Sequence, residues 1–261
     1  MKMINCDLHT HTKYSDDSQE LMENHCLKAI ESGVSFLCIT DHVDCNAIDS
    51  GFDFYDVESF FKEFSHLKAK YQGQLTLLAG IEFGEPHIYQ TQMEILTKHP
   101  YDLILGSVHF WYQDLYASKL VNNPMSIEES YQRYYQELLK VVQDNKVDVV
   151  AHFDFPKRYY HKNVIHEELI RTICRTMVEN GIVMEINTSS LRRNKTETMP
   201  DREILILYKE CGGKYVTIGS DAHIAVDLGA GLAYAKNLIK VMELEEVVFI
   251  NREMVLLSNL K

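Results

Sequence analysis

The chain carries six cysteines, at positions 6, 26, 38, 45, 174 and 211, but no Cys-x-x-Cys pair. Several lie inside apolar runs, where a buried free thiol is the expected state, so the chain reads as intracellular and reduced. It has no basic N-terminal region leading into a long apolar segment, and no apolar run approaches the roughly 18 residues of a membrane span. Secretion and membrane insertion therefore lack support, and a cytoplasmic location is expected. It has no Lys/Arg-rich block, and 38 acidic residues against 26 basic ones leave a net charge of −12. Nucleic acid is thus a poor partner, and a small anionic substrate would need local positive charge, which bound metals can supply. There is also no low-complexity or Pro/Ser-rich linker. With 261 residues, one domain over 1–261 is expected, long enough for a single α/β barrel with a large core.

What the chain does have is a metal-ligand pattern at strand ends. Near the start, Asp7-Leu8-His9-Thr10-His11-Thr12 follows the short apolar run Met3-Ile4-Asn5-Cys6. Side chains two apart on a strand point to the same side, so His9 and His11 can grip one ion. A lone His-x-His says little, but five other apolar runs end in similar chemistry: Thr40-Asp41-His42, Gly80-Ile81-Glu82, Ser107-Val108-His109, Ala151-His152 and Ser220-Asp221-Ala222-His223.

The runs read as seven strands: Met3 to Leu8, Ser35 to Thr40, Leu75 to Phe83, Tyr101 to His109, Val147 to Phe153, Ile182 to Asn187 and Tyr215 to Ser220. Most are continuous apolar runs, as parallel strands covered on both faces should be. Amphipathic helices lie between them. Val57, Phe60, Phe61, Phe64, Leu67 and Tyr71 share one face, and Ser126 with Glu129 forms a capping-box pattern opening Ile127 to Gln143. Glu31-Ser32-Gly33, Glu179-Asn180-Gly181 and Glu210-Cys211-Gly212 each place glycine at a helix stop before a strand. The repeating unit is helix, glycine, strand, ligand. An open doubly wound sheet would spread six ligand-bearing ends along a line, whereas a distorted (β/α)7 TIM-like barrel converges them on one point at the C-terminal strand ends.

Taken together, the Asp7–Thr12 motif, Ile39-Thr40-Asp41-His42, Gly80-Ile81-Glu82, Gly106-Ser107-Val108-His109, Ala151-His152 and Gly219-Ser220-Asp221-Ala222-His223 resemble the polymerase and histidinol phosphatase (PHP) family over essentially the whole chain. The stretch Glu185-Ile186-Asn187-Thr188-Ser189-Ser190-Leu191-Arg192 is similar to the histidinol-phosphate phosphatase branch. The resemblance implies a distorted seven-stranded barrel holding three divalent metals. It implies a first metal on His9, His11, Glu82 and Asp221, a second on bridging Glu82, His109 and His152, and a third on Asp17, His42 and His223. Many histidinol-phosphatase relatives have histidine where Asp17 falls, six residues beyond His11, and Asp16 competes for that role. Imidazole and carboxylate ligation without thiolate suits zinc, manganese or iron(II).

The other candidates have plainer readings. Asp41 is placed as a group orienting a ligand histidine, since adjacent strand residues face opposite ways. His25, His66, His99, His161 and His166 are expected to be solvated or on helix surfaces, and His87, just past Glu82, stays a site candidate. Tyr131, Tyr134 and Tyr135, at helical spacing, read as packing.

The resemblance implies phosphomonoester hydrolysis by a metal-bridging hydroxide attacking phosphorus in line, with Glu82, Asp221 and His223 central and L-histidinol phosphate as substrate. A guanidinium suits phosphate, with Arg192 the first choice, Arg158 the second and Arg193 the third. Trp111 could offer an aromatic face, and Glu85 or Asp44 a carboxylate, to the organic half. The partner is thus a small phosphomonoester, with neither nucleic acid nor membrane, and no feature specifies an oligomeric state. Alternatives are a phosphoesterase of the same family acting on nucleotides or phosphotyrosine, or a non-catalytic metal-binding module.

Overall fold

A computed structural model describes residues 4–112, 115–120, 125–160, 162–193 and 195–260. His161 lies outside the described residues.

The central sheet runs in sequence order through nine strands. They are β1 (Cys6–Asp7), β2 (Phe36–Val43), β3 (Thr76–Gly84), β4 (Leu103–Ser107), β5 (Val149–Val150), β6 (Val183–Asn187), β7 (Tyr215–Gly219), β8 (Glu245–Ile250) and β9 (Glu253–Leu256). Neighbours from β1 to β8 pair in parallel, as chains with helical crossovers require. Beyond β1 the chain turns back against the seventh strand: the Leu8 amide donates to the Ile218 carbonyl at 2.9 Å, and the Asp221 amide to the His9 carbonyl at 2.8 Å. These bonds curl the first seven strands into a distorted TIM-like barrel, in which β1 and β5 contribute only two residues each to the ladders.

The eighth and ninth strands are absent from the seven-strand expectation. The β8–β9 pair is an antiparallel hairpin, and Val247, Val248 and Phe249 pack with Cys6, Leu8, Cys38, Leu78, Leu105 and Val183 in one apolar cluster. Its turn is tied down far from β7. The Asn251 amide donates to Asp102 Oδ1 at 3.0 Å and Arg252 pairs with Asp148 at 3.0 Å, so the hairpin spans the entrances of β4 and β5. The barrel is thereby sealed at its N-terminal mouth, opposite the ligand-bearing ends.

Helices form the outer layer. Asp56 caps Val57–Lys70 by accepting from the Ser59 amide, and Ser126 caps Ile127–Asp144 by accepting from the Glu129 amide at 3.1 Å. Glu129 itself turns to Arg133, so only half of the expected capping box forms. Gly33 and Gly181 end their helices at φ 73° and 71°, a left-handed geometry that a side chain would strain. Tyr131, Tyr134 and Tyr135 are buried between this layer and the barrel, as packing.

Candidate metal centre

Alternation along the strands places the centre's carboxylates inside the barrel. Glu82 has the parity of Leu78 on β3, and Glu185 that of Val183 on β6, so both carboxylates share the face of the interior apolar cluster. Glu82, 1% exposed, stands at the middle. Its Oε1 lies 2.8 Å from His152 Nε2 and 3.4 Å from His109 Nε2. Its Oε2 lies 2.9 Å from His9 Nε2 and 3.4 Å from both His11 Nε2 and His42 Nδ1. Five imidazoles thus face one carboxylate, divided between its two oxygens.

The remaining candidates gather on the outer side. Asp221 Oδ1 lies 3.5 Å from His11 Nε2 and 3.5 Å from His223 Nδ1. Asp17 Oδ2 lies 2.9 Å from His223 Nε2 and 3.7 Å from His42 Nε2, whereas Asp16 accepts from the Ser50 hydroxyl at 2.6 Å. It is therefore Asp17, not Asp16, that reaches these two histidines. The His11 ring stacks on His42 at 4.3 Å and on His223 at 4.2 Å between ring centroids. Ligand atoms of His11, His42 and His223, of His9, His11 and Asp221, and of His42, Glu82 and His109 form clusters in which all lie within 4.8 Å of one another.

The donor set fits divalent metal. His11 Nε2 and His42 Nδ1 are buried without a hydrogen-bond partner, and both point at Glu82. Buried nitrogens of this kind cost free energy unless a ligand engages them. Burial opposes charge on His42, but Glu82, Asp17 and Asp44 outweigh it and raise its pKa to about 10. Burial, with His223 and His42 nearby, holds His11 well below its ordinary value, so it stays neutral. Burial would raise Glu82, yet His9, His42 and His152 pull it well below the carboxylate range.

Behind the histidines stands a layer of groups of which sequence reasoning placed only Asp41. Glu185 Oε1 lies 2.7 Å from His9 Nδ1, and Oε2 accepts the His152 amide at 2.7 Å. Asp7 accepts the Ser220 and Gly229 amides, each at 2.8 Å, fixing the approach to Asp221. His25 is not solvated as expected: it is buried, with Nε2 2.8 Å from the His11 carbonyl. Asp41 accepts from the Thr12 amide and hydroxyl and from Ser15 Oγ. It meets no histidine directly. Ser15 Oγ is 3.2 Å from His11 Nδ1, so Asp41 acts through the 12–15 turn. A parity signal could have exposed Glu185, which sits two residues before Asn187 on an otherwise apolar strand. Nothing local marks His25. His152 and Asp221 take left-handed φ values of 26° and 55°, which re-aim their side chains at the ends of β5 and β7.

The arginines and aromatics are distributed differently from the sequence order of choice. Arg192 is braced: it donates to the Ser220 carbonyl at 2.7 Å and the Asp221 carbonyl at 3.0 Å, and its Nε lies 3.2 Å from Asp227. Arg158 pairs with the Asp221 carboxylate and donates to Ser189 Oγ at 3.1 Å. Both line one cavity of about 530 Å³ with Arg193, Asp17, Asp221 and His223. Trp111 is a correction. It is 5% exposed, its indole N–H donates to Ser130 Oγ at 3.0 Å, and the cavity it borders contains none of the nine candidate ligands. Glu85 borders that same cavity and accepts the His109 and Phe110 amides. His87 is 2.9 Å from Glu137, away from the centre. His66 is exposed, His99 stacks on Phe61, and His166 reaches the Glu128 carbonyl at 3.0 Å.

A family model described as "PHP domain" matches residues 7–189. The chain belongs to the PHP domain family. Among PHP relatives, a protein of Clostridium acetobutylicum named "Probable histidinol-phosphatase" is 31% identical, with 95% of this chain and 98% of that protein covered. The histidinol-phosphatase of Lactococcus lactis is 29% identical over 91% of each chain. The crystal structure of a histidinol phosphate phosphatase from Lactococcus lactis, complexed with zinc, L-histidinol and phosphate, superposes with a TM-score of 0.88 at 26% identity. It covers 97% of this chain and 100% of its own. The PHP fold thus accounts for the sequence-ordered barrel and for the gathering of six strand ends around one centre. Among the described residues, no helix is long and apolar enough to cross a membrane.

Proposed function

We propose that residues 1–261 form one PHP-type domain acting as a metal-dependent histidinol-phosphatase, which hydrolyses L-histidinol phosphate to L-histidinol and phosphate in the cytoplasm as a step of histidine biosynthesis. The observation that carries this reading is the convergence of His9, His11, His42, His109 and His152 on Glu82, bordered by a cavity with three arginines. The names and the bound ligands of the similar proteins support the substrate.

His9, His11, Glu82 and Asp221 would hold one divalent metal, Glu82, His109 and His152 a second, and Asp17, His42 and His223 a third, as zinc, manganese or iron. Bound there, the metals supply a water of lowered pKa and neutralise charge developing on the phosphoryl oxygens. The chain's own part is placement. Glu185 accepts the hydrogen bond of His9 Nδ1–H and so leaves Nε2 as the nitrogen to ligate. Arg158, paired with Asp221 and aimed along the same cavity, orients the phosphoryl group, while Arg192 holds the Ser220–Asp221 backbone in place. Phosphate release measured in parallel on histidinol phosphate, a nucleoside monophosphate and a phosphotyrosine peptide tests the reading. Turnover fastest on either of the latter two overturns it in favour of another PHP phosphoesterase, and none on any of the three favours a non-catalytic module.

A further inference from the structure

Just beyond His152 the chain makes a short 3-10 turn, Phe155–Arg158, that begins with a buried ring and ends with an arginine of the cavity. The Phe155 ring lies against two of the candidate ligands, with its centroid 4.5 Å from the His152 ring and 5.1 Å from the His109 ring. The Arg158 guanidinium carbon stands over the same ring, 4.8 Å from its centroid. One apolar side chain thus touches both the metal centre and the cation beside it.

The backbone of the turn is tied down on its other side. Buried Lys157 donates to the Thr198 carbonyl at 2.7 Å and pairs with Asp201, whose amide donates to Asp154 Oδ2 at 3.0 Å. The Lys157 amide closes the turn on the Asp154 carbonyl at 3.0 Å. What these bonds leave unfixed is the long side chain of Arg158. Arg192 and Arg193 line the same cavity, and repulsion among three guanidinium groups favours splaying them into solvent. Against that, Arg158 Nη2 pairs with the Asp221 carboxylate and donates to Ser189 Oγ at 3.1 Å, while Nε is buried without a hydrogen-bond partner. Both bonds start from one terminal nitrogen, so they leave the planar group able to swivel about it. An aromatic ring removes that freedom, because a guanidinium is attracted to the ring quadrupole and stacks on aromatic faces.

We propose that Phe155 is a positioning residue for the reaction: backed by His109 and His152, its ring holds the Arg158 guanidinium beside the metal centre, where it meets the phosphoryl oxygens. This assignment rests on the phosphomonoesterase reading above and gives a side chain without polar atoms a part in phosphate binding. The histidines do not depend on the ring in turn. Glu82 Oε1 holds His152 Nε2 at 2.8 Å and Glu185 holds the His152 amide at 2.7 Å.

Phe155→Leu keeps the position apolar and removes the ring. In the metal-loaded enzyme, kcat/KM for histidinol phosphate should fall about tenfold, and affinity for inorganic phosphate, read by calorimetry without turnover, by about the same factor, with metal content unchanged. In an Arg158→Ala background the same substitution should change kcat/KM by less than about twofold, because the group it positions is gone. A fall as large in that background, phosphate affinity equal to wild type, or loss of a metal equivalent in Phe155→Leu overturns the proposal. A further reading needs no change at Phe155. In wild-type protein labelled at arginine, with Arg158 assigned from Arg158→Lys, the ring current should move the Arg158 side-chain NMR signals upfield of their positions in urea. Unmoved signals overturn the proposal even where Phe155→Leu fails to fold. If wild type hydrolyses no ester while its Arg158 signals are moved and its phosphate binding depends on Phe155, the phosphatase reading fails and the positioning contact stands. Wild type that neither hydrolyses an ester nor binds phosphate overturns both.

Discussion

His9 is held between two carboxylates, with Nδ1 2.7 Å from Glu185 and Nε2 2.9 Å from Glu82. The pairing sets the tautomer. A proton on Nδ1 directed to Glu185 makes Nε2 the nitrogen that gives up its proton to ligate at the centre, and the buried carboxylate behind the ring raises its basicity as a ligand. Space for the contact depends on Gly219 of β7, where a Cβ would fall 2.1 Å from Glu185 Oε1 and 2.4 Å from His9 Cβ.

Gly219→Ala should therefore displace Glu185 and His9 together. Metal affinity, measured by chelator competition, is expected to fall about 10- to 100-fold, and overpacking should cost roughly 1–3 kcal/mol in thermal or urea unfolding. Glu185→Gln should reproduce the affinity loss with a smaller change in stability. Unaltered affinity in both variants would remove Glu185 from the support of the centre.

Protein purified without chelator should carry between two and three equivalents of transition metal by elemental analysis, on the order of one per proposed ligand set. Stripping should abolish turnover reversibly. Glu82→Gln reduces charge at the point shared by five histidines and should lower kcat about a thousandfold or more. Asp17→Asn should cost less, and Asp16→Asn less again, because Asp16 bonds to Ser50 and not to His42 or His223. One equivalent or less in fully active enzyme would rule out three metals.

Arg158 and Arg192 should fail in different ways. Arg158→Ala removes the guanidinium aimed along the cavity and is expected to weaken kcat/KM by about 2 to 4 kcal/mol, with lysine rescuing only partly because a point charge lacks the planar fork. Arg192→Ala removes two hydrogen bonds to the carbonyls flanking Asp221, so its loss of activity should come with a loss of metal. Kinetics and metal analysis on the same preparations separate the two. Metal retained in Arg192→Ala with kcat/KM down thirtyfold or more would assign Arg192 to the phosphate.

Metal uptake should release protons. In the metal-free protein, burial disfavours charge on His42, but Glu82 and the neighbouring aspartates raise its pKa to about 10, and His9 and His109 are raised as well. At pH 7 to 8 such imidazoles carry protons that a metal must displace, so affinity should rise with pH through that range and fall as pH is lowered. Calorimetry in buffers of different ionisation enthalpy counts the protons. Uptake without proton release would mean that these histidines are already neutral.

Sequence alone located the candidate ligand stations and their barrel context, because both are local. A strand's two-residue period and its apolar run identify where it ends, and His9, His11, His42, Glu82, His109, His152, Asp221 and His223 each sit at such an end. Helix stops at Gly33 and Gly181 were legible for the same reason, since a left-handed residue after a helix favours glycine wherever it occurs. The choice between Asp16 and Asp17 was not local. Neighbours on a turn point apart, and only the folded positions of Ser50 and His223 separate them. The last hairpin escaped notice because Val247 and Phe249 bury against strands more than 200 residues earlier as well as nearby ones, a partnership that no window of sequence contains. His25 and Glu185 likewise have meaning only through His11 and His9, which they meet from the first helix and from the sixth strand. Spacing could name the candidates. What holds each ring at its angle, and which side of the centre is basic, was decided by tertiary contacts, because burial and electrostatic fields depend on distance in space and not along the chain.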